Sequence, residues 1–328
     1  MTDKKPKILV TGRLPVLILN RLGEKCDVES NQFDRPMMDA VLRRSIADKE
    51  GLISMITDSV DSDLMDRAPR LRVISQMAVG FNNIDVKAAT ARGIPVTNTP
   101  GVLTDATAEL AFSLLLAVAR RVVEGDKMVR EGRFQHWAPF LFLGTEVSGK
   151  TLGIVGMGRI GKAVAKRACG FGMKVLYNNP SRLDPAEEEQ LGAARRELGE
   201  LLAEADFVSL HVPLTDSTRH LIGRDEFSLM KKTSFLVNTS RGPVVDEKEL
   251  VEALRRGDIA GAGLDVYENE PLLEPGLAEL DNVVLLPHVG SGTVETRTRM
   301  AEMAAESLLV ALGGEAPSRT INPEVFRK

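Results

Sequence analysis

The sequence has few of the features that mark secreted or membrane-bound proteins. Its two cysteines, Cys26 and Cys169, lie far apart and outside any C-x-x-C motif, so we expect reduced thiols in a reducing compartment. Residues 1–6 are polar and lack the apolar segment of a secretory signal. The most apolar stretch, 108–119, is too short to span a bilayer. These absences predict a cytoplasmic protein.

The sequence also lacks an excess of positive charge. Its 42 lysines and arginines are outnumbered by 46 aspartates and glutamates, which gives a formal net charge of −4. That balance argues against nucleic acid or an anionic membrane surface as a partner. We find no low-complexity segment, no short repeat and no metal-binding motif. A length of 328 residues therefore favours two globular domains, each large enough to bury its own core.

One glycine-rich stretch in the middle of the chain predicts a nucleotide-binding turn. Gly156, Gly158 and Gly161 have the G-x-G-x-x-G spacing, directly after an apolar run at 151–155 that is typical of a strand. In this motif the first glycine permits a tight turn, the second lets a pyrophosphate approach the backbone, and the third lets the next helix pack against the strand. We therefore predict a dinucleotide-binding site, with a structural glycine turn as the alternative.

Strand and helix patterns alternate on both sides of this turn. Upstream, helical patterns such as 36–45 and 86–92 separate apolar runs of strand length at 8–10, 51–56, 71–75 and 94–97. Downstream, six strands are predicted at 151–155, 173–177, 206–212, 233–238, 259–265 and 282–287. Alternation of this kind is typical of parallel sheets covered by helices on both faces.

We predict an α/β protein with two domains. Residues 102–289 form a doubly wound parallel sheet, the Rossmann nucleotide-binding domain, because six strands match both of its mononucleotide halves. Residues 1–101 have no glycine fingerprint and form a flavodoxin-like α/β substrate-binding domain. The last helix, roughly 293–312, has the length to return to that domain. The substrate-binding domain is therefore predicted to be discontinuous, 1–101 with 290–328.

Polar residues follow the last three predicted strands, where a parallel sheet presents its ligand-binding edge. Arg241 follows the fourth strand, Glu268 and Glu270 follow the fifth, and His288 follows the sixth. A guanidinium can hold a carboxylate bidentately, and an imidazole can pass a proton near neutral pH while a carboxylate fixes its tautomer. Taken singly, each residue is more often a surface charge or a loop acid. Their joint placement favours 2-keto acid chemistry.

At these motifs the sequence resembles the D-isomer-specific 2-hydroxyacid dehydrogenase family, and within it the glyoxylate/hydroxypyruvate reductase branch. The matching stretches are 79–85, 153–161, 238–242, 264–271 and 286–291. The resemblance implies that Arg241 anchors the substrate carboxylate, that His288 donates and accepts the proton, and that Glu270 is the partner of His288. The implied activity is NAD(P)H-dependent reduction of glyoxylate and hydroxypyruvate to 2-hydroxy acids, with the D-isomer formed where the product is chiral.

The resemblance also implies which residues bind the ligands. The implied substrate-binding residues are Met55, Val79, Gly80, Arg241 and, in a homodimer, Trp137 of the partner subunit. Core or dimer packing is the alternative interpretation of the aromatic segment 134–140. The implied cofactor-binding residues, many of which follow strand ends, are Thr107, Gly156, Gly158, Arg159, Ile160, Gly161, Asn179, Pro180, Ser181, Arg182, His211, Val212, Pro213, Thr239, Ser240, Arg241, Asp265, His288 and Gly290.

The end of the second strand of the nucleotide-binding domain favours NADP(H) as the cofactor. An NAD site places an acidic residue about 20 positions after the glycines, where it accepts the ribose 2′-hydroxyl. Asn179 stands at that position here, and Ser181 and Arg182 could bind a 2′-phosphate. Pro180 replaces a second basic residue found in some similar reductases, so the use of NAD(H) stays open.

Other functions stay open at this point. Phosphoglycerate dehydrogenases have an arginine where Gln76 stands, and formate dehydrogenases have a glutamine where Glu270 stands, so both reactions are disfavoured. Another D-2-hydroxyacid or phosphite dehydrogenase of the same family is the nearer alternative. A nucleotide-sensing protein similar to the family's transcriptional corepressors is the more distant one, because a fold alone does not assign a function.

Overall fold

The computed structural model describes residues 4–327, which form two compact units. The first unit contains the described residues up to Leu103 and those from Gly292 onward, and the second contains Thr104–Ser291. The chain crosses between the units two residues later than the sequence predicts, at both crossings. Both crossings fall at loop-to-helix entries, where a sequence pattern locates a boundary only to within a few residues.

The first unit is built on a parallel sheet. Its strands are β1 (Lys7–Val10), β2 (Asp27–Ser30), β3 (Gly51–Ser54), β4 (Val73–Gln76) and β5 (Val96–Thr97). Its first helices are α1 (Val16–Lys25), α2 (Asp39–Ser45), α3 (Ser62–Asp66) and α4 (Val86–Ala91). Among the described residues the strand order is β2-β1-β3-β4-β5, which is the flavodoxin-like order.

The second unit is built on a longer parallel sheet. Its strands are β6 (Thr151–Val155), β7 (Lys174–Asn178), β8 (Ala193–Arg195), β9 (Phe207–Leu210), β10 (Phe235–Asn238), β11 (Gly261–Leu264) and β12 (Val283–Leu285). Its helices are α5 (Thr104–Ala119), α6 (Val122–Arg130), α7 (Arg159–Gly170), α8 (Pro185–Leu191), α9 (Leu198–Glu204), α10 (Arg224–Leu229) and α11 (Glu247–Arg256).

The strand order of the second sheet is that of a doubly wound nucleotide-binding domain. Within the described residues it is β12-β11-β10-β9-β6-β7-β8, with β6 next to β9 at the point where the order reverses. The predicted α/β fold class is confirmed. The prediction of six strands is wrong, because β8 adds a seventh at the sheet edge. Its Ala-Ala-Arg sequence is too short to produce an apolar run.

Both faces of the second sheet are buried. In β10, Phe235 and Val237 pack into one apolar cluster with α5 and α7, while Leu236 packs into another with α9 and α11. Successive strand residues point to opposite faces, so a strand buried on both sides is apolar throughout. This pattern explains why the central strands were predictable as short continuous apolar runs.

The last helix, α12 (Val294–Leu312), completes the core of the first unit. Ser75 in β4 donates its hydroxyl hydrogen to Ala304 O at 2.8 Å, and a Cβ at Gly51 would lie 3.1 Å from Leu308 Cδ1. Both Ala304 and Leu308 are buried. Within residues 4–327, no helix combines the length and the apolar character needed to cross a lipid bilayer.

Candidate active site

The glycine turn between β6 and α7 has the geometry of a phosphate cradle. Gly156 has φ 98°, and a Cβ there would lie 2.7 Å from His211 C. A Cβ at Gly161 would lie 2.3 Å from Gly156 O, so packing requires glycine at both positions. A Cβ at Gly158 would meet nothing within 4 Å, and no side chain caps the start of α7 at Arg159. The helix N-terminus is therefore open to an anionic ligand.

Two buried polar atoms near this turn have no hydrogen-bond partner among the described residues. They are Thr239 Oγ1 and His211 Nδ1. Buried polar groups are nearly always paired, so these atoms point to a ligand. The His211 ring is held through Nε2, 2.8 Å from Ser209 Oγ, and burial lowers the pKa of His211 to about 4. A neutral imidazole, a hydroxyl and a glycine cradle together fit a dinucleotide.

The end of β7 is held by hydrogen bonds to its neighbours. Asn179 Oδ1 accepts the Met157 N–H at 3.0 Å, which ties the strand end to the glycine turn. Arg182 is exposed, and its guanidinium pairs with Glu188 at 2.8 Å. Glu188 also accepts the Tyr177 hydroxyl at 2.5 Å. The Arg182 guanidinium is therefore held by Glu188 and also reaches solvent beside the predicted 2′-phosphate position. Pro180 and Ser181, which lie between Asn179 and Arg182 in the sequence, are exposed.

A second guanidinium at this end of the sheet was not predicted. Arg195, the last residue of β8, donates through Nε and Nη2 to Asn179 O at 3.4 and 3.3 Å. Together with Arg182 it places two cations around the end of β7. Sequence reasoning missed Arg195 because β8 itself was not recognised. The available signal was Gly192, which ends α8 in a left-handed conformation directly before β8 begins.

His288 and Glu270 form a hydrogen-bonded pair at the ends of β11 and β12. His288 Nδ1 lies 2.8 Å from Glu270 Oε2, and Glu270 Oε1 accepts the Tyr267 N–H at 3.0 Å. Burial is the largest influence on Glu270 and opposes its ionisation, but the interactions with His288, the Tyr267 N–H and the Arg241 charge together outweigh it, so the pKa of Glu270 lies below its ordinary value. Since Nδ1 faces Glu270, the other ring nitrogen, Nε2, is left for a reacting group.

Asp265 fixes the turn that carries His288. Its Oδ1 accepts the Val289 N–H and its Oδ2 accepts the Gly290 N–H, both at 2.7 Å. Its carbonyl oxygen accepts the His288 N–H at 2.8 Å. His288 has φ 54°, a conformation that a residue with a side chain rarely adopts unless neighbours hold it. The sequence assigned Asp265 to cofactor binding and did not indicate that its side chain holds the turn that carries His288. Burial raises the pKa of Asp265.

Arg241 lies beside this pair and has no carboxylate partner within the described part of the chain. Its Nη1 donates to Ser240 O at 2.6 Å, and the loop is closed by Asn238 Nδ2 donating to Arg241 O at 3.0 Å. Burial lowers the pKa of Arg241 and the Glu270 charge opposes that shift. A half-buried guanidinium without an anion is suited to binding a ligand carboxylate.

The remaining predicted cofactor residues of the second unit surround these groups. Thr107 is buried in α5, and a Cβ at Gly290 would lie 3.6 Å from Thr107 Oγ1. Ser240 donates to Asn238 Oδ1 through both its N–H and its hydroxyl. Val212 and Pro213 continue from His211, and Ile160 packs against the core in the first turn of α7. Among the described residues, no cluster of side chains could hold a metal ion.

In the first unit, amide side chains hold the loop that contains Val79 and Gly80. Asn98 Nδ2 donates to Val79 O at 2.8 Å, and Gln76 Nε2 donates to Gly80 O at 3.3 Å and to Asn83 Oδ1 at 2.8 Å. The N–H groups of Val79 and Gly80 have no acceptor among residues 4–327. Main-chain N–H groups fixed in this way are suited to an anion.

Two further residues of the first unit complete this description. Met55 packs over Gly12, where a Cβ would lie 2.8 Å from Met55 Cε. The Met55 N–H donates to the buried Asp58 Oδ2 at 2.7 Å, and Thr11 donates its hydroxyl hydrogen to the same oxygen. Burial raises the pKa of Asp58. The backbone of Met55 is thus held by the polar cluster of Thr11 and Asp58.

The aromatic segment of the second unit is exposed. The Trp137 and Phe140 side chains are 79% and 84% exposed. Phe142 has φ 58°, and its ring lies 4.0 Å from the Arg121 guanidinium carbon. Trp137 therefore does not pack in the hydrophobic core of this chain. This observation overturns core packing as the alternative interpretation.

Comparison with known proteins gives consistent relatives over the whole chain. The model of the D-isomer specific 2-hydroxyacid dehydrogenase, NAD binding domain, matches residues 112–290. A glyoxylate reductase of Korarchaeum cryptofilum is 51% identical over 325 residues, which is 98% of each chain.

Solved structures agree with this match. A protein of Thermus thermophilus is 47% identical, with a TM-score of 0.89 over 96% of this chain and 99% of that one. An NADPH-dependent glyoxylate/hydroxypyruvate reductase of Sinorhizobium meliloti, in complex with NADP and malonate, is 34% identical. Its TM-score is 0.88, and the match covers 99% of both chains.

Proposed function

The chain belongs to the D-isomer specific 2-hydroxyacid dehydrogenase family, and we propose that it reduces glyoxylate and hydroxypyruvate with a nicotinamide dinucleotide. The family resemblance found in the motifs is thereby confirmed. The observation that carries the proposal is the His288–Glu270 pair at 2.8 Å beside an arginine free of carboxylates. The names of the relatives support the substrate class, since they are glyoxylate or glyoxylate/hydroxypyruvate reductases.

Arg241 binds the carboxylate of the keto acid in this proposal. Two parallel N–H···O bonds from one guanidinium fix both the position and the plane of a carboxylate. The cation also polarises the adjacent carbonyl toward negative charge on its oxygen. From the first unit, the resemblance assigns the N–H groups of Val79 and Gly80 to substrate binding, and their lack of an acceptor supports that role.

His288 supplies the proton to the carbonyl oxygen as negative charge develops there. The hydrogen bond from Nδ1 to Glu270 orients the imidazole, which leaves an Nε2 proton for transfer. A bound nicotinamide dinucleotide supplies the hydride to the carbonyl carbon. The glycine cradle at Gly156–Gly161, the orphan Thr239 hydroxyl and the neutral His211 are the residues proposed to hold it.

NADP(H) is the proposed cofactor, with NAD(H) as the alternative. No acidic side chain occupies the position of Asn179, so a 2′-phosphate meets no repulsion there. Arg182, which pairs with Glu188, and Arg195, which donates to Asn179 O and pairs with Glu197 at 3.2 Å, offer two guanidinium groups near the end of β7. The NADPH-dependent relative of Sinorhizobium meliloti supports the same choice.

We propose a cytoplasmic homodimer in which Trp137 contributes to the active site of the partner subunit. The support is a set of exposed apolar side chains between residues 122 and 143 of the second unit. They are Val122, Val123, Val129, Phe134, Trp137, Phe140, Leu141 and Leu143. Monomeric proteins rarely expose a large apolar patch. Sedimentation equilibrium tests the dimer, and a monomer at micromolar concentration would contradict it.

The test of the function is a set of four initial rates. Glyoxylate and hydroxypyruvate are each supplied with NADPH and with NADH, and oxidation of the cofactor is followed. Fast NADPH oxidation with both acids is expected. A strong preference for NADH would overturn the cofactor proposal and leave the reaction standing, and no turnover with either acid would overturn the reaction itself.

A further inference from the structure

His220 lies outside the strand-end loops predicted from the sequence, and it connects two of those loops. His220 lies between β9 and α10 in a left-handed conformation, with φ 51°. Its main-chain N–H donates to Pro243 O at 2.8 Å. Its imidazole Nε2 lies 2.6 Å from Glu268 Oε1, and an ionised carboxylate only accepts, so Nε2 donates. The other ring nitrogen lies 3.7 Å from Asp246 Oδ2, too far for a hydrogen bond.

The two groups that His220 binds belong to the loops that carry the proposed catalytic residues. Pro243 follows Arg241 by two positions, and Glu268 precedes Glu270 by two positions. One residue therefore holds the Arg241 loop through its backbone and the Glu270 loop through its side chain. A non-glycine residue kept in a left-handed conformation is a reason to look for a functional role.

The same two loops are in direct contact with each other. A Cβ at Gly242 would lie 1.8 Å from the carbonyl carbon and oxygen of Tyr267, so the loops pack backbone against backbone. Glu268 Oε2 also accepts the Glu247 N–H at 3.3 Å, which fixes the far side of its carboxylate. Packing at Gly242 prevents a closer approach of the loops, and the bonds from His220 oppose their separation.

We propose that His220 is a positioning residue that sets the spacing between the Arg241 carboxylate anchor and the His288–Glu270 pair. The inference rests on the proposed function. Exposed ion pairs contribute little to stability. A misplacement on the order of 1 Å can, however, lower turnover about a hundredfold. Removal of the imidazole is therefore expected to change turnover much more than folding.

The direct test is the variant His220→Gly. Glycine adopts φ 51° without strain and keeps the N–H that donates to Pro243, so only the imidazole is lost. We expect kcat with saturating glyoxylate and NADPH to fall about tenfold, while the KM for NADPH stays unchanged. Glu268→Ala removes the acceptor and is expected to give a similar loss. The double variant is expected to be no worse than either single variant, since both break the same contact.

The chain offers a matched control in the Lys231–Asp206 ion pair. Its side chains are 38% and 22% exposed, against 41% and 21% for His220 and Glu268. Asp206 immediately precedes β9, at the sheet edge opposite the catalytic loops. Lys231→Met is expected to lower the Tm as much as His220→Gly and to keep the kcat of the wild type. A His220→Gly variant with wild-type kcat would overturn the inference.

A measurement without turnover separates this inference from the proposed function. A wild-type protein that reduces no keto acid would overturn the function alone. The hydrogen bond of His288 to Glu270 can then be followed by nitrogen-15 spectra of the imidazoles, since the sequence has four histidines. The His288 Nδ1 resonance is expected to move in His220→Gly and to stay in Lys231→Met. An unmoved resonance in His220→Gly would overturn the positioning role.

Discussion

The two units present different chemistry at the ends of their parallel strands. In the second unit, charged and titratable side chains meet there: Arg241, Glu270 and His288, with Asp265 holding the turn. In the first unit, neutral amides fix the carbonyl groups of Val79 and Gly80, whose N–H groups have no acceptor among residues 4–327. The difference teaches that the proposed proton transfer needs groups found at the second sheet, while the first sheet has fixed main-chain N–H groups suited to an anion.

The largest effect on turnover is expected when the His288 imidazole of the second unit is removed. His288→Ala is expected to lower kcat for glyoxylate reduction by roughly a hundredfold or more, because the general acid is lost. Steady-state rates with saturating NADPH measure the effect, and circular dichroism checks the fold. Near-normal turnover in His288→Ala would show that the second unit does not supply the proton.

Glu270→Gln tests the titratable partner while keeping the size of the side chain. The lowered pKa of Glu270 means that the pair is intact at neutral pH and is lost only as the pH falls through that lowered value. A glutamine does not titrate, so the loss of the pair at low pH, where Glu270 becomes protonated, should be absent from the pH–rate profile of the variant. We expect a loss in kcat of about tenfold. A pH–rate profile identical to that of the wild type would remove Glu270 from the pair.

The matching change in the first unit should leave the pH profile untouched. Gln76→Met keeps the length of the buried side chain but removes its bonds to Gly80 O and Asn83 Oδ1 and the bond that it accepts from the Ser54 hydroxyl. Loosening this loop is expected to raise the KM for glyoxylate about fivefold, with kcat within about twofold of the wild type. If Gln76→Met instead shifted the pH–rate profile, the division of roles between the units would be wrong.

The smallest expected effect concerns the cofactor end of the second sheet. Arg195→Ala is expected to raise the KM for NADPH by roughly threefold and to leave the KM for NADH unchanged, since the proposed partner of Arg195 is the 2′-phosphate, which NADH lacks. Arg196→Ala is the control. Both guanidinium groups pair with a carboxylate, Arg196 with Glu204 at 2.9 Å and Arg195 with Glu197 at 3.2 Å, whereas Arg195 also donates to Asn179 O at the end of β7. Equal changes for both cofactors would place Arg195 in the fold rather than in cofactor recognition.

Sequence reasoning located the central strands and the residues at their ends, because a strand buried on both faces is apolar throughout and ends abruptly in polar residues. It missed β2, since the sequence Asp-Val-Glu-Ser alternates on a half-exposed edge and forms no apolar run. It missed β8, and with it Arg195, because Ala-Ala-Arg contains none of the β-branched or aromatic residues that mark a strand.

Contacts between side chains and distant backbone groups were also beyond the sequence. Asp265 was placed correctly at a strand end, but its bonds to the N–H groups of Val289 and Gly290 depend on two strands lying side by side. The bridge made by His220 depends on three loops meeting in space. Periodicity reports which face a residue occupies, and it does not report which partner it meets there.

The packing of α12 in the first unit has a consequence for folding during translation. Residues of α12, among them Ala304 and Leu308, complete a core whose members outside this helix lie before Leu103, so that core stays open while the second unit is synthesised. At cellular rates of translation this interval lasts about ten to forty seconds. The apolar strand faces of the nascent first unit therefore stay without α12 until residues 294–312 have been synthesised.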